Sequence, residues 1–424
     1  MAWRETTLGE ICDQVGGGIQ TGPFGSQLHE SDYSTDGIPV VMPKDIIEGR
    51  ISTESVARVA TEHVDRLARH KLKCGDIVYG RRGDIGRQAL IRSGQNGWLC
   101  GTGCLRISLG DSVIEPTFLH YYLRQESAIS WISGQAVGAT MPNLNTGILR
   151  SVPVHVPPLP TQRRIAGILS TYDDLIENNQ RRIRILEDMA RSLYREWFVH
   201  FRYSGHESVP LVDSPLGPIP QGWEVKKLGD IAEDMRRNIP KGQLDEPQPY
   251  VGLEHIPRRS LALDAWETAT ELGSNKLAFK KGEILFGKIR PYFHKVSIAP
   301  FDGLCSADTI VIRARQPERY SIVVGCVSSD EFVAHATATS NGSKMPRANW
   351  SVLEEYPVAI PTLVVARQFS AVVEPAIQQM QALIFQTANL RRTRDLLLPR
   401  LLSGQMNLAT DTTPIYDEDA SSAW

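Results

Sequence analysis

PPLPTQRRIAGILSTYDDLIENNQRRIRILEDMARSLYREWFVHF, running from Pro157 to Phe201, decides how the rest of the chain is read. Apolar side chains recur in alternating steps of four and three at Ile165, Leu169, Tyr172, Ile176, Ile183, Leu186, Ala190, Leu193 and Trp197, with Asn179 the polar member of the series. A stripe of mean period 3.5 keeps one face of a helix against a partner helix along its whole length. Pro160 suits a helix start, and Ser170 followed by Asp173 has the spacing of an N-cap with an acidic third residue. The stretch therefore predicts a short helix, a break near Ser170 and a long helix over about 172–201.

The partner helix lies in the same chain. Displacing the stripe by 204 residues, Ile165 onto Phe369, gives Phe369, Val373, Ala376, Met380, Leu383, Thr387, Leu390, Arg394, Leu397 and Leu401, a second and weaker seam. The approach repeats too: Pro153, Val154, Pro157, Leu159 and Arg163 match Pro357, Val358, Pro361, Leu363 and Arg367. Pro375 stands one residue past the equivalent of Ser170, so a bend is expected there as well. Trp223, Leu228, Gly229 and Ile231 echo Trp3, Leu8, Gly9 and Ile11, and the run Lys280 to Lys288 echoes Lys73 to Arg81. A supersecondary unit repeated at this distance implies a duplicated chain with internal two-fold character. In an antiparallel pairing Asn179 faces Thr387 and Ile183 faces Leu383, and a buried polar pair at that place fixes register at some cost in stability. The candidate interface residues are Ile165, Leu169, Ile176, Asn179, Ile183, Leu186, Leu193 and Trp197 on one helix, with Leu383, Thr387, Leu390 and Leu397 on the other.

The expected fold is mixed α/β (α+β): two globular domains separated by a pair of long antiparallel helices of coiled-coil type. The first domain takes residues 1–156, with short β-type runs at 38–42, 76–79 and 104–108 and a helix over about 116–131. The first helical region takes 157–203. Residues 204–222, rich in proline and glycine without periodicity, read as a linker. The second domain takes 223–360 and the second helical region 361–404, and the acidic, polar residues 405–424 read as a disordered tail.

At 424 residues and 42% hydrophobic composition the chain is long and apolar enough for real cores. The start, MAWRETTLGEICDQ, has no apolar signal region, and no run of some 18 apolar residues occurs, so neither secretion nor membrane spanning is expected and a cytoplasmic location is. Six cysteines without a CxxC pair read as reduced thiols, and Cys100 and Cys104 as buried strand residues. A net charge of −2 gives no global pull toward nucleic acid, so any such binding has to come from local basic patches.

Catalytic motifs are missing: there is no GxxxxGK(S/T), HExxH or GxSxG, and no metal-type pairing of Cys and His. The Gly16–Gly18 run lacks the strand-then-helix context of a dinucleotide site, and the ten histidines are scattered. Glu283 and Lys288 carry nuclease-type chemistry, but the repeat puts Asp76 and Arg81 there, so a strand with a solvated polar face is the expected account. Basic and polar loops give the better signal. Arg81, Arg82 and Arg87 cluster among glycines, with Lys288, Arg290 and Lys295 at the corresponding place of the second copy and Tyr292 interleaved. Thr140, Met141, Pro142 and Asn143 match Lys344, Met345, Pro346 and Arg347 just before each domain ends. Asparagine and arginine suit adenine and guanine edges respectively, and arginine also reaches phosphate. The candidate DNA-contacting set is Gln20, Thr21, Ser26, Gln27, Arg81, Arg82, Arg87, Thr140 and Asn143 in the first domain, and Arg236, Arg237, Asn238, Lys288, Arg290, Lys344 and Arg347 in the second. The runs Arg181-Arg182-Ile183-Arg184 and Arg391-Arg392-Thr393-Arg394 read as a charged outer face of the helices, or as contacts to a partner subunit or to phosphate. A non-catalytic DNA reader is the expected function, and a stand-alone nuclease or nucleotide-dependent DNA-modifying enzyme is the alternative.

Six segments together resemble one family, the specificity subunits of type I restriction-modification systems. They are Thr21-Gly-Pro-Phe-Gly-Ser-Gln-Leu28, Gly80-Arg-Arg-Gly83, Met141-Pro-Asn-Leu144, Pro157-Pro-Leu-Pro-Thr-Gln-Arg-Arg164, Leu216-Gly-Pro-Ile-Pro-Gln-Gly-Trp223 and Leu397-Leu-Pro-Arg-Leu-Leu-Ser-Gly404. The resemblance covers nearly the whole chain. It implies two target-recognition domains, each reading one half of a split DNA sequence, held apart by the two helices. It also implies that the helices dock two modification subunits, which methylate adenine with S-adenosylmethionine, and that restriction subunits using ATP and Mg2+ join them. No cofactor is implied for this chain itself, and no membrane partner. The second copy departs from the pattern at Val364-Val-Ala-Arg-Gln368, where the glutamine falls later than in Pro158 to Gln162. With a long helix of roughly 30 residues, the expected spacer is about 45 Å.

Overall fold

The computed structural model describes residues 3–25, 27–83, 85–136, 143–342 and 344–406. Ser26 and Thr140 of the candidate site, and residues 407–424 of the expected tail, lie outside them. The chain divides into two compact units, residues 1–174 with the chain from Arg392 onward, and Leu175–Arg391. The division falls inside both long helices, so each unit takes one stretch of each helix.

In the first unit an antiparallel ribbon joins Arg4–Thr7 to Pro153–Val156, Thr7 lying against Pro153. Thr7 then caps the helix Leu8–Val15: its hydroxyl accepts the Glu10 N–H, and the Glu10 carboxylate accepts the Thr7 N–H. Gly16 ends that helix at φ 64°, and a Cβ on Gly17 would meet the Ser108 carbonyl oxygen at 2.5 Å. The glycine run is a helix stop and a close approach to a strand. That strand, Cys104–Ser108, lies between Gly18–Thr21 and Ile77–Gly80, with Gln88–Leu90 outermost, all antiparallel. A second sheet orders Leu99–Cys100, Ile38–Val41, Ala57–Val59 and Tyr33–Ser34. Cys100 and Cys104 are each 1% exposed, and burial pushes the Cys100 thiol up to about 12. The helix expected over 116–131 is two helices, Pro116–Leu123 and Glu126–Gln135, because Gln125 takes an extended backbone and starts the second one.

The second unit repeats the plan. Glu224–Lys227 pairs with Pro357–Ile360. One sheet orders Ala232–Asp234, Thr309–Ala314, Ile284–Gly287 and Val296–Ile298; the other orders Arg237–Ile239, Lys276–Phe279, Gly303–Ser306, Gln248–Val251 and Glu267–Ala269. The stretch read as a linker carries a small hairpin, Leu211–Val212 with Ile219–Pro220, closed by reciprocal bonds between Ser214 and Gly217; its first strand is exposed, and Ile219 on the second is buried in the core of the second unit.

Both long helices are unbroken, Leu159–Tyr194 and Leu363–Leu402, the first ending in a π turn at Arg195–Val199. The break expected at Ser170 is absent because the Ser170 and Thr171 hydroxyls donate back to the Gly167 carbonyl from inside the helix, and Asp173 has partners of its own. Pro375 is accommodated without ending its helix: it and Ala371, whose carbonyl loses a donor, are both exposed. Among the described residues no helix is long and apolar enough to cross a membrane.

Within each unit the two helix stretches run antiparallel. In the second, Trp197 meets Phe369 at 5.7 Å, and Ile183 packs with Leu383 and Ile384. Asn179 and Thr387 are both buried, at 6% and 2%, but the Thr387 hydroxyl has no hydrogen-bond partner among the described residues, so the polar key expected there is not a bonded pair. In the first unit Ile165, Ala166 and Leu169 share a core with Leu397, Leu398, Leu401 and Leu402. The polar key is here. Asp173 accepts Arg394 at 2.5 Å and the Tyr121 hydroxyl at 2.7 Å, with Arg124 at 3.4 Å. Burial raises the Asp173 carboxyl, yet the bonds from Arg394 and Tyr121 outweigh it and hold the group below its ordinary range. The displacement of 204 residues puts Ile377 and Ala190 at the equivalent places of the second unit, both in its apolar core. Asp173→Ala or Arg394→Ala alone removes the main partner of a part-buried charge, leaving Asp173 with Tyr121 and Arg124 or Arg394 with the exposed Asp395, and should cost about 3 kcal/mol. Asp173→Ile with Arg394→Ala copies the apolar pair and should recover part of that loss; denaturation curves in which the single losses simply add would contradict the pairing.

Candidate nucleic-acid interface

In the first domain the strand Ile77–Gly80 runs out into Arg81 and Arg82, and the chain returns to the same place at Asn143, 61 residues after Arg82. Arg82 and Asn143 form a β-bridge, the Leu144 N–H donates to the Arg81 carbonyl at 2.9 Å, and Arg81 Nε donates to the Leu144 carbonyl at 3.1 Å. Two loops that are far apart in sequence become one ledge. The second domain builds the same ledge: Ile289 bridges Arg347, the Ala348 N–H donates to the Lys288 carbonyl at 2.9 Å, and the Arg290 N–H to the Pro346 carbonyl at 2.8 Å. The backbone pattern is common to both and the side chains differ, Arg82 and Asn143 against Ile289 and Arg347.

Arg82 and Arg87 are exposed, as are Lys344 and Arg347. Arg347 has Asp308 at 3.5 Å, and the Asn143 side-chain oxygen, like Arg290 Nε, is buried with no hydrogen-bond partner among the described residues. Beside the second ledge Arg236, Asn238 and Lys288 line a cleft of about 380 Å³ with Asn349 and Trp350. Burial lowers the Lys288 ammonium, which donates to the Ala307 carbonyl. Asn349 and Trp350 were not singled out by sequence, although they follow Arg347 by two and three residues. Gln27 accepts the Phe24 N–H and so shapes its own loop, and Thr21 lies in the sheet opposite Leu105.

Other candidates have structural duties. Gln20 is part-buried between Arg106 and His70. Arg237 donates twice to Glu283, at 2.6 and 2.7 Å, which raises its own affinity for the proton. Glu283 is 5% exposed and also accepts the Lys280 N–H, so the solvated strand face expected there is a buried ion pair. Asp76, its counterpart, is 3% exposed, accepts the Lys73 N–H and has Arg106 at 3.9 Å. Both carboxylates fold a turn, which accounts for them without nuclease chemistry.

The seam residues are used within the chain: Ile165, Leu169, Ile176, Ile183 and Leu383 are all under 9% exposed, while Leu186, Leu193, Trp197, Leu390 and Leu397 are partly buried. The first basic run, Arg181, Arg182 and Arg184, is exposed, whereas Arg391 pairs with Asp264 and Arg394 with Asp173. Glu187, on the central helix, is a residue the sequence did not flag: it is 5% exposed and accepts from the Ser260 hydroxyl and the N–H groups of Leu261 and Ala262. Among the described residues no three His, Cys, Asp or Glu side chains are grouped to hold a metal. Arg237→Ala should destabilise the second domain by about 3–5 kcal/mol by stranding Glu283. A thermal melt unchanged by that substitution, with DNA binding lost, would instead make Arg237 a contact residue.

A profile of the type I restriction modification DNA specificity domain matches residues 2–188 and 220–384. The MjaIX specificity subunit of Methanocaldococcus jannaschii is 25% identical over 418 residues, covering 96% of this chain and 94% of its own length. The EcoDI specificity subunit of Escherichia coli is 26% identical over 273 residues, covering 59% and 60%. A crystal structure of the S subunit of a type I system from M. genitalium superposes with a TM-score of 0.58 at 15% identity, covering 95% of this chain and 96% of that one, which shows a shared fold. Two matched segments account for most of the chain and coincide with its two structural copies, so the chain belongs to the family of type I restriction-modification DNA specificity subunits.

Proposed function

We propose that this chain reads a two-part double-stranded DNA target, one half with each domain, and hands that reading to catalytic partner subunits. The observation that carries the proposal is the repeated ledge: the two loops singled out by their basic and base-pairing residue types are bridged in both domains, Arg82 to Asn143 and Ile289 to Arg347. A shared backbone with different side chains suits one docking mode with two specificities. Asn143 is suited to an adenine edge and Arg347 to a guanine edge. Arg81, Arg82, Arg87, Lys288 and Lys344 are placed for phosphate or base contacts. The partners on this reading are two modification subunits and, with them, restriction subunits. S-adenosylmethionine, ATP and Mg2+ are used by those partners. Because the seam is consumed inside the chain, docking falls to the outward helix faces, where Ile185, Met189, Val372, Phe385 and Leu396 are each at least 41% exposed.

Selection of random DNA by the assembled complex should enrich a motif with two short parts and a fixed gap; a single continuous site would refute the reading. A heptad inserted into both long helices, which keeps the seam in phase, lengthens them by about 10 Å and should widen the gap by about three base pairs. An unchanged gap would remove the spacer role. Asn143→Ala should cost about 1–3 kcal/mol at one base position of one half-site and leave the other half unaffected.

A further inference from the structure

Three non-glycine residues of the second domain hold left-handed backbone conformations close together: Arg259 at φ 55°, Arg290 at φ 51° and His294 at φ 53°. Such conformations are strained for side chains larger than glycine and persist only where surrounding structure imposes them. Here Arg290 and His294 bracket a single 3-10 turn, Pro291–Phe293. The turn is fastened on every side. The Arg290 N–H donates to the Pro346 carbonyl of the ledge, the Arg259 N–H donates to the His294 carbonyl, and the His294 ring lies 2.9 Å from the Ser328 carbonyl oxygen. Phe293 is clamped under the Arg258 guanidinium at 4.0 Å. Pro291 and His294 are buried and Phe293 is half-buried, yet the fourth side chain, Tyr292, is 49% exposed. Its ring meets Phe293 edge to face at 4.8 Å, a contact that orients the ring while about half of the side chain stays open to solvent. The first domain has no aromatic residue between the equivalent strands, where residues 81–87 read Arg-Arg-Gly-Asp-Ile-Gly-Arg, so this feature belongs to one copy.

We propose that Tyr292 is a specificity-determining residue of the second domain, contacting a base of its half-site through the ring face beside the ledge of Lys288, Ile289 and Arg347. The inference rests on the DNA-reading function proposed above and adds a contact of a different kind. Arginine and lysine bring charge; a ring three residues beyond the Ile289 bridge brings a flat apolar surface for a base edge, such as a thymine methyl in the major groove, whose strength does not depend on phosphate. Strain built into the turn keeps that ring in place before DNA arrives, so little ordering remains for the binding step.

The test uses the assembled complex on the site selected by the wild-type protein, with Tyr292→Ala, Tyr292→Phe and the wild type measured at several salt concentrations. Tyr292→Ala should weaken binding about ten- to a hundredfold, the size of one base-edge contact. It should do so without changing the slope of affinity against salt, because no phosphate contact is lost. Tyr292→Phe should stay within about twofold of wild type, as the ring and not the hydroxyl makes the contact. The inference is overturned if Tyr292→Ala binds like wild type, if it loses equally on DNA scrambled in the second half-site, or if Tyr292→Phe loses as much as Tyr292→Ala. Failure of the underlying reading looks different: the wild-type complex would then select no two-part site at all.

Discussion

One buried carboxylate ties the first unit together. Asp173 stands on the central helix, takes a bond from Arg394 on the C-terminal helix, and takes another from Tyr121 of the globular domain, with Arg124 of that domain at 3.4 Å. Three elements from distant parts of the sequence thus meet at one group, whose partners together outweigh the cost of its burial and favour the anion. Glu187 does the same kind of work in the second unit, where it gathers the backbone of Leu261 and Ala262 and the Ser260 hydroxyl onto the helix. Burial raises the Glu187 carboxyl, and the three donors only partly offset it. Each domain is therefore seated on the helix by a polar anchor as well as by apolar packing. An anchor of this kind constrains orientation more narrowly than packing does, because hydrogen bonds fail with small angular errors.

On the proposed reading, orientation matters because each ledge is narrow. Each ledge is two loops crossing at one β-bridge, with the side chains of Arg82 and Asn143 in one domain and those of Lys288, Arg290 and Arg347 in the other. The buried carboxylates Asp76 and Glu283 stand at the base of the strands that lead into these ledges and hold the preceding turns by accepting the N–H groups of Lys73 and Lys280. Framework residues repeat between the domains in kind and in bonding. Ledge residues repeat in backbone bonding only. On the proposed reading, that division lets specificity change by substitution at a few side chains while the fold beneath stays the same.

The helix seam was legible in the sequence because the period of apolar side chains follows from helix geometry alone, and Trp197 against Phe369 lies in the register that the repeat implies. The break at Ser170 was misread because a hydroxyl can either cap a helix or bond back into one, and only the surrounding fold decides. Asp173 and Glu187 were illegible as anchors: nothing local to them says which donors the fold will bring. The ledges were half legible. Residue types marked Arg81, Arg82, Asn143, Lys288 and Arg347, but the bridges that join the loops are tertiary. Arg237 carried the same local signal as Arg236 and proved to be held by Glu283 across the strands, a pairing that the basic run could not reveal.

The central claim, that two separate ledges read two separate halves of one target, is tested most directly by photo-crosslinking from each ledge in turn. A photo-crosslinking residue replaces Arg82 in one preparation of the assembled complex and Lys344 in another, and the attached DNA positions are sequenced. Two ledges with two targets require crosslinks in one half of the site from position 82 and in the other half from position 344, with the unread gap between them. Crosslinks from both positions to the same half, or from neither to the selected site, would contradict it.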